Sequence, residues 1–141
     1  MSPSQITEAD FRRILLEGLP SGAGMSYRFL ELSRGRVVVH FTPTAADTRP
    51  GGTVAGPVLF GLADLAMFAA VLSVVGYQPM AVTSDATIHF LRRPRAVPLV
   101  AKGRLLKEGR RLAVGEVTIE HEEEPDVVVT HAVMTYAIPP G

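Results

Sequence analysis

No cysteine or tryptophan occurs among the 141 residues. The first absence excludes disulfide scaffolds, thiol nucleophiles and cysteine-bound metals. Net charge is missing as well, because 14 basic residues offset 14 acidic ones. No bulk field therefore draws the chain to nucleic acid or to a membrane surface, and neither is an expected partner. The opening residues, MSPSQITEADFRRILLEG, hold no basic-then-apolar leader, so a cytoplasmic protein is expected. A G-x-S-x-G elbow is lacking, which disfavours a serine hydrolase. So are a Gly-Lys-Ser/Thr phosphate loop and a G-x-G-x-x-G after a strand. His40, His89, His121 and His131 fall on separate segments without metal-ligand spacing, and no metal site is expected.

The most telling scarcity is local. Between Arg49 and Asp85 the only charged side chain is Asp64. It stands inside residues 57–76, PVLFGLADLAMFAAVLSVVG, which follow the glycine-rich approach Gly51-Gly52-Thr53-Val54-Ala55-Gly56. Desolvating an ionised carboxylate costs several kcal/mol, so such a group has either a partner or a task.

What is present suits one domain with a real core. Hydrophobic residues make up 47% of the chain and charged residues 20%, an apolar surplus that hints at an obligate interface. Residues 7–16 read as a short amphipathic helix, with Thr7 as cap, Glu8 and Asp10 in the first turn, and Phe11, Ile14 and Leu15 on one face. Residues 19–24 read as a loop, 26–32 and 36–41 as strands, and 42–53 as irregular, given Pro43, Pro50, Gly51 and Gly52. Pro57 favours a helix start and Gly76 a stop, giving a helix over 57–76 of about 30 Å. That helix is apolar almost all round, as one wrapped on several sides should be. From Leu65 to Tyr77 the uncharged run is too short to span a bilayer alone. Four strands, 81–91, 98–107, 111–121 and 127–138, follow with short turns between them. They imply an antiparallel sheet, and sheet and helix would cover each other in a two-layer α+β domain.

Asp64 lies about two turns into its helix, too deep for a cap or for the dipole at the first turn. Helical spacing places Phe60, Gly61, Met67 and Phe68 around it. A carboxylate in such surroundings suits a general base or a nucleophile; the plainer reading is an Asp on a solvated stripe or bonded to a loop. The Gly56 N–H, at the helix N-terminus, is free to polarise a carbonyl, although a glycine there also serves an ordinary turn. Arg92, Arg93 and Arg95, with Lys107, Arg110 and Arg111, form two basic clusters at strand ends. They suit the phosphates of a small ligand, or else simply decorate turns.

Residues 52–64, Gly-Thr-Val-Ala-Gly-Pro-Val-Leu-Phe-Gly-Leu-Ala-Asp, resemble without a gap the G-T-x-H-G-G-x-x-x-x-L-A-D motif of the PaaI-type, hotdog-fold acyl-CoA thioesterases. Ile88-His89-Phe90-Leu91-Arg92 resembles the FLRP strand end of that family, and Gly109-Arg110-Arg111-Leu112-Ala113-Val114 its G-R/K-R/T-L-A turn. The resemblance covers residues 35–138. It implies a long central helix wrapped by an antiparallel sheet, pairing into a homodimer or a dimer of dimers with active sites between protomers. It also implies acyl-CoA hydrolysis, CoA being part of the substrate and no cofactor being needed. Asp64 becomes the catalytic carboxylate, Gly56 the oxyanion contact and Thr83 the residue that positions water, with Asp64 and Gly56 of one site supplied by different protomers.

Three positions depart from the motif. Its His is Ala55, its second Gly is Pro57, and the Asn or Gln that often precedes it falls at Arg49, which is left to pair with Asp64 or to bind substrate. The FLRP proline is displaced to Pro94. These departures keep a second reading open, a non-catalytic acyl-CoA-binding protein; a third is an enoyl-thioester hydratase, although no His is near Asp64 in sequence. Phe60, Met67, Phe68 and Leu72 are candidates for an acyl-pocket wall or for plain core.

Overall fold

In the computed structural model, residues 2–18 and 26–140 are described; the loop expected over 19–24 lies outside them. The chain runs α1 (Glu8–Gly18), β1 (Tyr27–Ser33), β2 (Arg36–Phe41), β3 (Thr48–Arg49), β4 (Thr53–Val54), α2 (Gly56–Val75), β5 (Val82–Phe90), β6 (Leu99–Glu108), β7 (Leu112–His121) and β8 (Val128–Ala137). Thr7 caps α1 as its sequence suggests. Its Oγ1 accepts the Asp10 N–H at 3.1 Å, while the Asp10 carboxylate accepts the Thr7 N–H at 3.3 Å. The stretch expected to be irregular before α2 holds a 3-10 turn at Ala45–Asp47 and the two-residue β3–β4 hairpin. Each of these is too short to leave a periodic pattern.

Six strands form one antiparallel sheet in the order β1-β2-β6-β7-β8-β5. Helix α2 lies across its concave face, against β2, β6 and β7 above all. Two glycines allow that close approach. A Cβ on Gly115 would sit 2.7 Å from Met67 Sδ, and one on Gly103 would sit 3.3 Å from the Ala66 carbonyl oxygen. Leu62, Ala66, Met67, Ala69, Ala70, Val71 and Leu72 are consequently sealed from water. By length and composition α2 could cross a membrane, but 67% of its most apolar window is buried inside the fold, as expected of a core helix.

The helix starts one residue before the expected Pro57, with Ala55 in the N-cap position, and ends at Gly76, whose φ of 85° only glycine adopts without strain. Near that end the buried Ser73 hydroxyl donates to the Ala70 carbonyl at 2.6 Å and accepts the Gly35 N–H at 2.8 Å. The β1–β2 turn is thereby tied to α2.

Candidate active site

Helix α2 presents Asp64 on the one side that the sheet does not seal. The side chain is half-buried, and a single carboxylate oxygen takes two hydrogen bonds. Thr83 Oγ1 donates to Asp64 Oδ1 at 2.7 Å, and Tyr136 Oη donates to the same oxygen at 2.6 Å. The phenol oxygen is also 3.3 Å from the Asp64 carbonyl, but its one proton serves the shorter contact. Thr83 and Tyr136 are directly opposed across the β5–β8 ladder, and a bulge between Thr83 and Asp85 marks this point of β5. Cross-strand partners share a face, so the two hydroxyls arrive together.

The Tyr136 ring is buried, stacked at 5.8 Å on Phe68. Burial first, then the charge of Asp64 and the hydrogen bond to it, push the Tyr136 phenol well above its usual range. It remains a donor wherever Asp64 is ionised. Asp64 Oδ2 accepts no hydrogen bond from the described residues and is available for chemistry.

Beside this carboxylate opens a cavity of about 750 Å³ between α1, α2 and the start of β5. Ile14, Leu15, Leu65, Phe68, Met80 and Tyr136 make much of its wall. Gly56 lies elsewhere, in a shallow apolar groove with Pro57, Phe60, Ile88 and Phe90. Its N–H has no acceptor among the described residues. Eight residues of helix separate Gly56 from Asp64, about 12 Å along the axis. One carbonyl carbon cannot meet both groups of a single chain, since each must come within about 3 Å.

Phe60, expected beside Asp64, faces the Gly56 groove instead, and Met67 packs under Gly115. Helical side chains lean toward the N-terminus, so Phe60 reaches back toward Gly56, whereas Phe68 reaches back onto Asp64. Arg49 is exposed on β3, and Asp64 forms no ion pair among the described residues.

The two basic clusters sit at opposite ends of the sheet. Lys107, Arg110 and Arg111 flank the β6–β7 turn, near the Thr83–Tyr136–Ala113 row. Arg92 and Arg93 lie beyond the far end of β5, whose last residue, Phe90, is already about 23 Å from Thr83 by strand rise. Arg92 donates to the Val128 carbonyl, Arg93 to that of Gly51 at 2.8 Å, and Arg95 is held by Glu123 and Glu124.

Sequence reasoning did not single out Tyr136. The one available signal was its place as the sole aromatic in the inward row Thr130, Ala132, Met134, Tyr136 of β8.

Residues 51–128 match the thioesterase superfamily. The chain belongs to the thioesterase superfamily. No curated protein matches it, but solved structures do. A candidate thioesterase from a Silicibacter species is 37% identical, with 92% of this chain and 90% of that one covered and a TM-score of 0.80. The Escherichia coli PaaI protein, from the phenylacetic acid degradation operon, is 25% identical over 92% and 91% of the chains, with a TM-score of 0.78. A hypothetical thioesterase protein from Streptococcus pneumoniae, solved with coenzyme A, shares the fold at 23% identity, covering 94% and 97%, with a TM-score of 0.73. The hotdog architecture expected from the Gly52–Asp64 motif is the architecture found.

Proposed function

We propose that this superfamily member hydrolyses acyl-CoA thioesters, with Asp64 as general base or nucleophile. The observation that carries the reading is the Asp64 carboxylate, oriented by two hydroxyls through one oxygen, at the wall of a 750 Å³ apolar cavity. The cavity takes the acyl group. In the general-base route Asp64 Oδ2 removes a proton from water as the water oxygen bonds to the thioester carbon. The C–S bond then breaks, and the thiolate of CoA leaves with that proton. The Thr83 hydroxyl donates its proton to Asp64, so a water at Thr83 would have to donate to it. The coenzyme A in the S. pneumoniae protein makes a CoA-type ligand the natural one to test.

The oxyanion contact comes from Gly56 of a second copy of the chain, because the same chain's Gly56 lies about 12 Å from Asp64 along the helix, beyond the reach of one carbonyl. The β5 edge supports this pairing. It is nine residues long, without Pro or Lys, and exposes Val82 and Phe90, with Met80 and Leu91 beside it. Arg49 and one of the basic clusters then serve the CoA phosphates, in a cytoplasmic homodimer.

Measuring free-thiol release across short, medium, long and aryl acyl-CoAs tests the reading. Asp64→Asn should fold normally, with an unchanged melting temperature, and lose at least about 100-fold in kcat. Full activity in that variant would sink the assignment. Tight CoA-ester binding without thiol release from any chain length would point to a binding protein instead.

A further inference from the structure

We propose that Tyr136 is a positioning residue for hydrolysis: its buried phenol fixes Asp64 through Oδ1 and so makes Oδ2 the reacting oxygen. This role rests on the reading of Asp64 as the catalytic carboxylate. Three observations carry it. The first is chemical economy on β8, where Ala132 and Met134 neighbour Tyr136 on the inner face and a Phe would complete the same packing. A hydroxyl buried there is costly unless bonded, and its partner is Asp64 at 2.6 Å.

The second is rigidity. The Tyr136 ring is clamped against Phe68, which in turn meets Phe11 at 5.6 Å. Thr83, the other donor, sits on β5, the edge strand proposed to pair with a second copy, and takes no support from this chain's core. Of the two hydroxyls, the phenol is the one held by the core. The third is the unequal treatment of the carboxylate. Both donors address Oδ1, whereas Oδ2 has no partner among the described residues. A carboxylate bonded this way cannot turn about its last torsion without breaking two charge-assisted hydrogen bonds.

The test compares wild type, Asp64→Asn, Tyr136→Phe and Thr83→Ala in steady-state thiol release over pH. Tyr136→Phe keeps the ring and its stack, so it should fold and bind substrate with KM within about twofold. Its kcat should fall by about tenfold, the size of one charge-assisted hydrogen bond. The acid limb of its pH–rate profile should move to higher pH, because a hydrogen bond to the ionised carboxylate has been removed. Placing 3-fluorotyrosine at position 136, a stronger donor of nearly the same shape, should move that limb the other way. This second change keeps the proposal testable even if Tyr136→Phe fails to fold.

An unmoved limb in both variants overturns the role. So does a raised KM with unchanged kcat, which would make Tyr136 a cavity wall. If wild type is active and Asp64→Asn is not, those results bear on Tyr136 alone. If wild type releases no thiol, the proposed function falls first and this role with it.

Discussion

The sheet has two free edges, and they are finished in opposite ways. At β1 the chain closes its own edge. Pro3 bridges Ser33, the Arg34 N–H donates to the Ser2 carbonyl at 3.0 Å, and α1 folds against the strand. Phe11 meets Tyr27 and Phe29 edge-on, while the Arg12 guanidinium sits 4.5 Å over the Tyr27 ring and donates to the Tyr27 carbonyl. At β5 nothing comparable happens. Val82 and Phe90 remain about half exposed and Asp85 is the only charge on the strand. An edge blunted by its own chain contributes to the stability of the fold; a bare edge leaves a row of backbone N–H and C=O groups open to another strand. The bare edge is also the one that carries Thr83 and flanks the Gly56 groove, so the proposed pairing and the proposed chemistry share it.

The largest effect should come from uncovering the closed edge. Phe11→Ala removes a fully buried ring that touches three others and should cost about 3–5 kcal/mol in urea unfolding. A loss under about 1 kcal/mol would show that α1 does not secure β1.

Next in size is the open edge. Val82→Lys with Phe90→Lys should convert a dimer to a monomer in sedimentation and lower thiol release at least about tenfold, with Asp64 intact. A single lysine on the other edge, Leu30→Lys, should leave mass and activity unchanged, since Leu30 is already exposed. A wild-type monomer with full activity would defeat the comparison.

The smallest effect is pH-dependent. The segment after β5 is pinned where the Arg95 N–H donates to His121 Nε2 at 2.9 Å, which requires that nitrogen unprotonated. Burial, then the Arg95 charge, hold the His121 imidazole below its ordinary 6.5. The unfolded chain therefore takes up this proton first as pH falls. The stabilisation is full above about 6.5 and declines below it, toward the folded value. Between pH 7.5 and 5.5, exchange of the Arg95 amide should accelerate relative to β6 amides after correction for intrinsic rate; constant relative protection would contradict this.

Much of the fold was legible because its signals are local. Pro57 and Gly76 bracket α2 within a residue, and turn residues such as Gly35 and Gly109 delimit strands whose ends shift by one position at most. Asp64 stood out as a lone charge in an apolar run, and Gly56 as a bare N–H at a helix start. Phe60 and Phe68 show where such reading stops. Both lie four residues from Asp64, and only the backward lean of helical side chains sends one to Gly56 and the other to the carboxylate.

By itself the chain's sequence determined the helix, the strands, the superfamily and the acid, since propensity, punctuation and motif all act over a few neighbouring residues. Tertiary structure alone decided what surrounds that acid. Tyr136 is 72 positions from Asp64 and meets it only because the β5–β8 register sets Thr83 opposite Tyr136 beneath α2. No turn joins β5 to β8, so their register is set by which faces the core buries and not by a local connection.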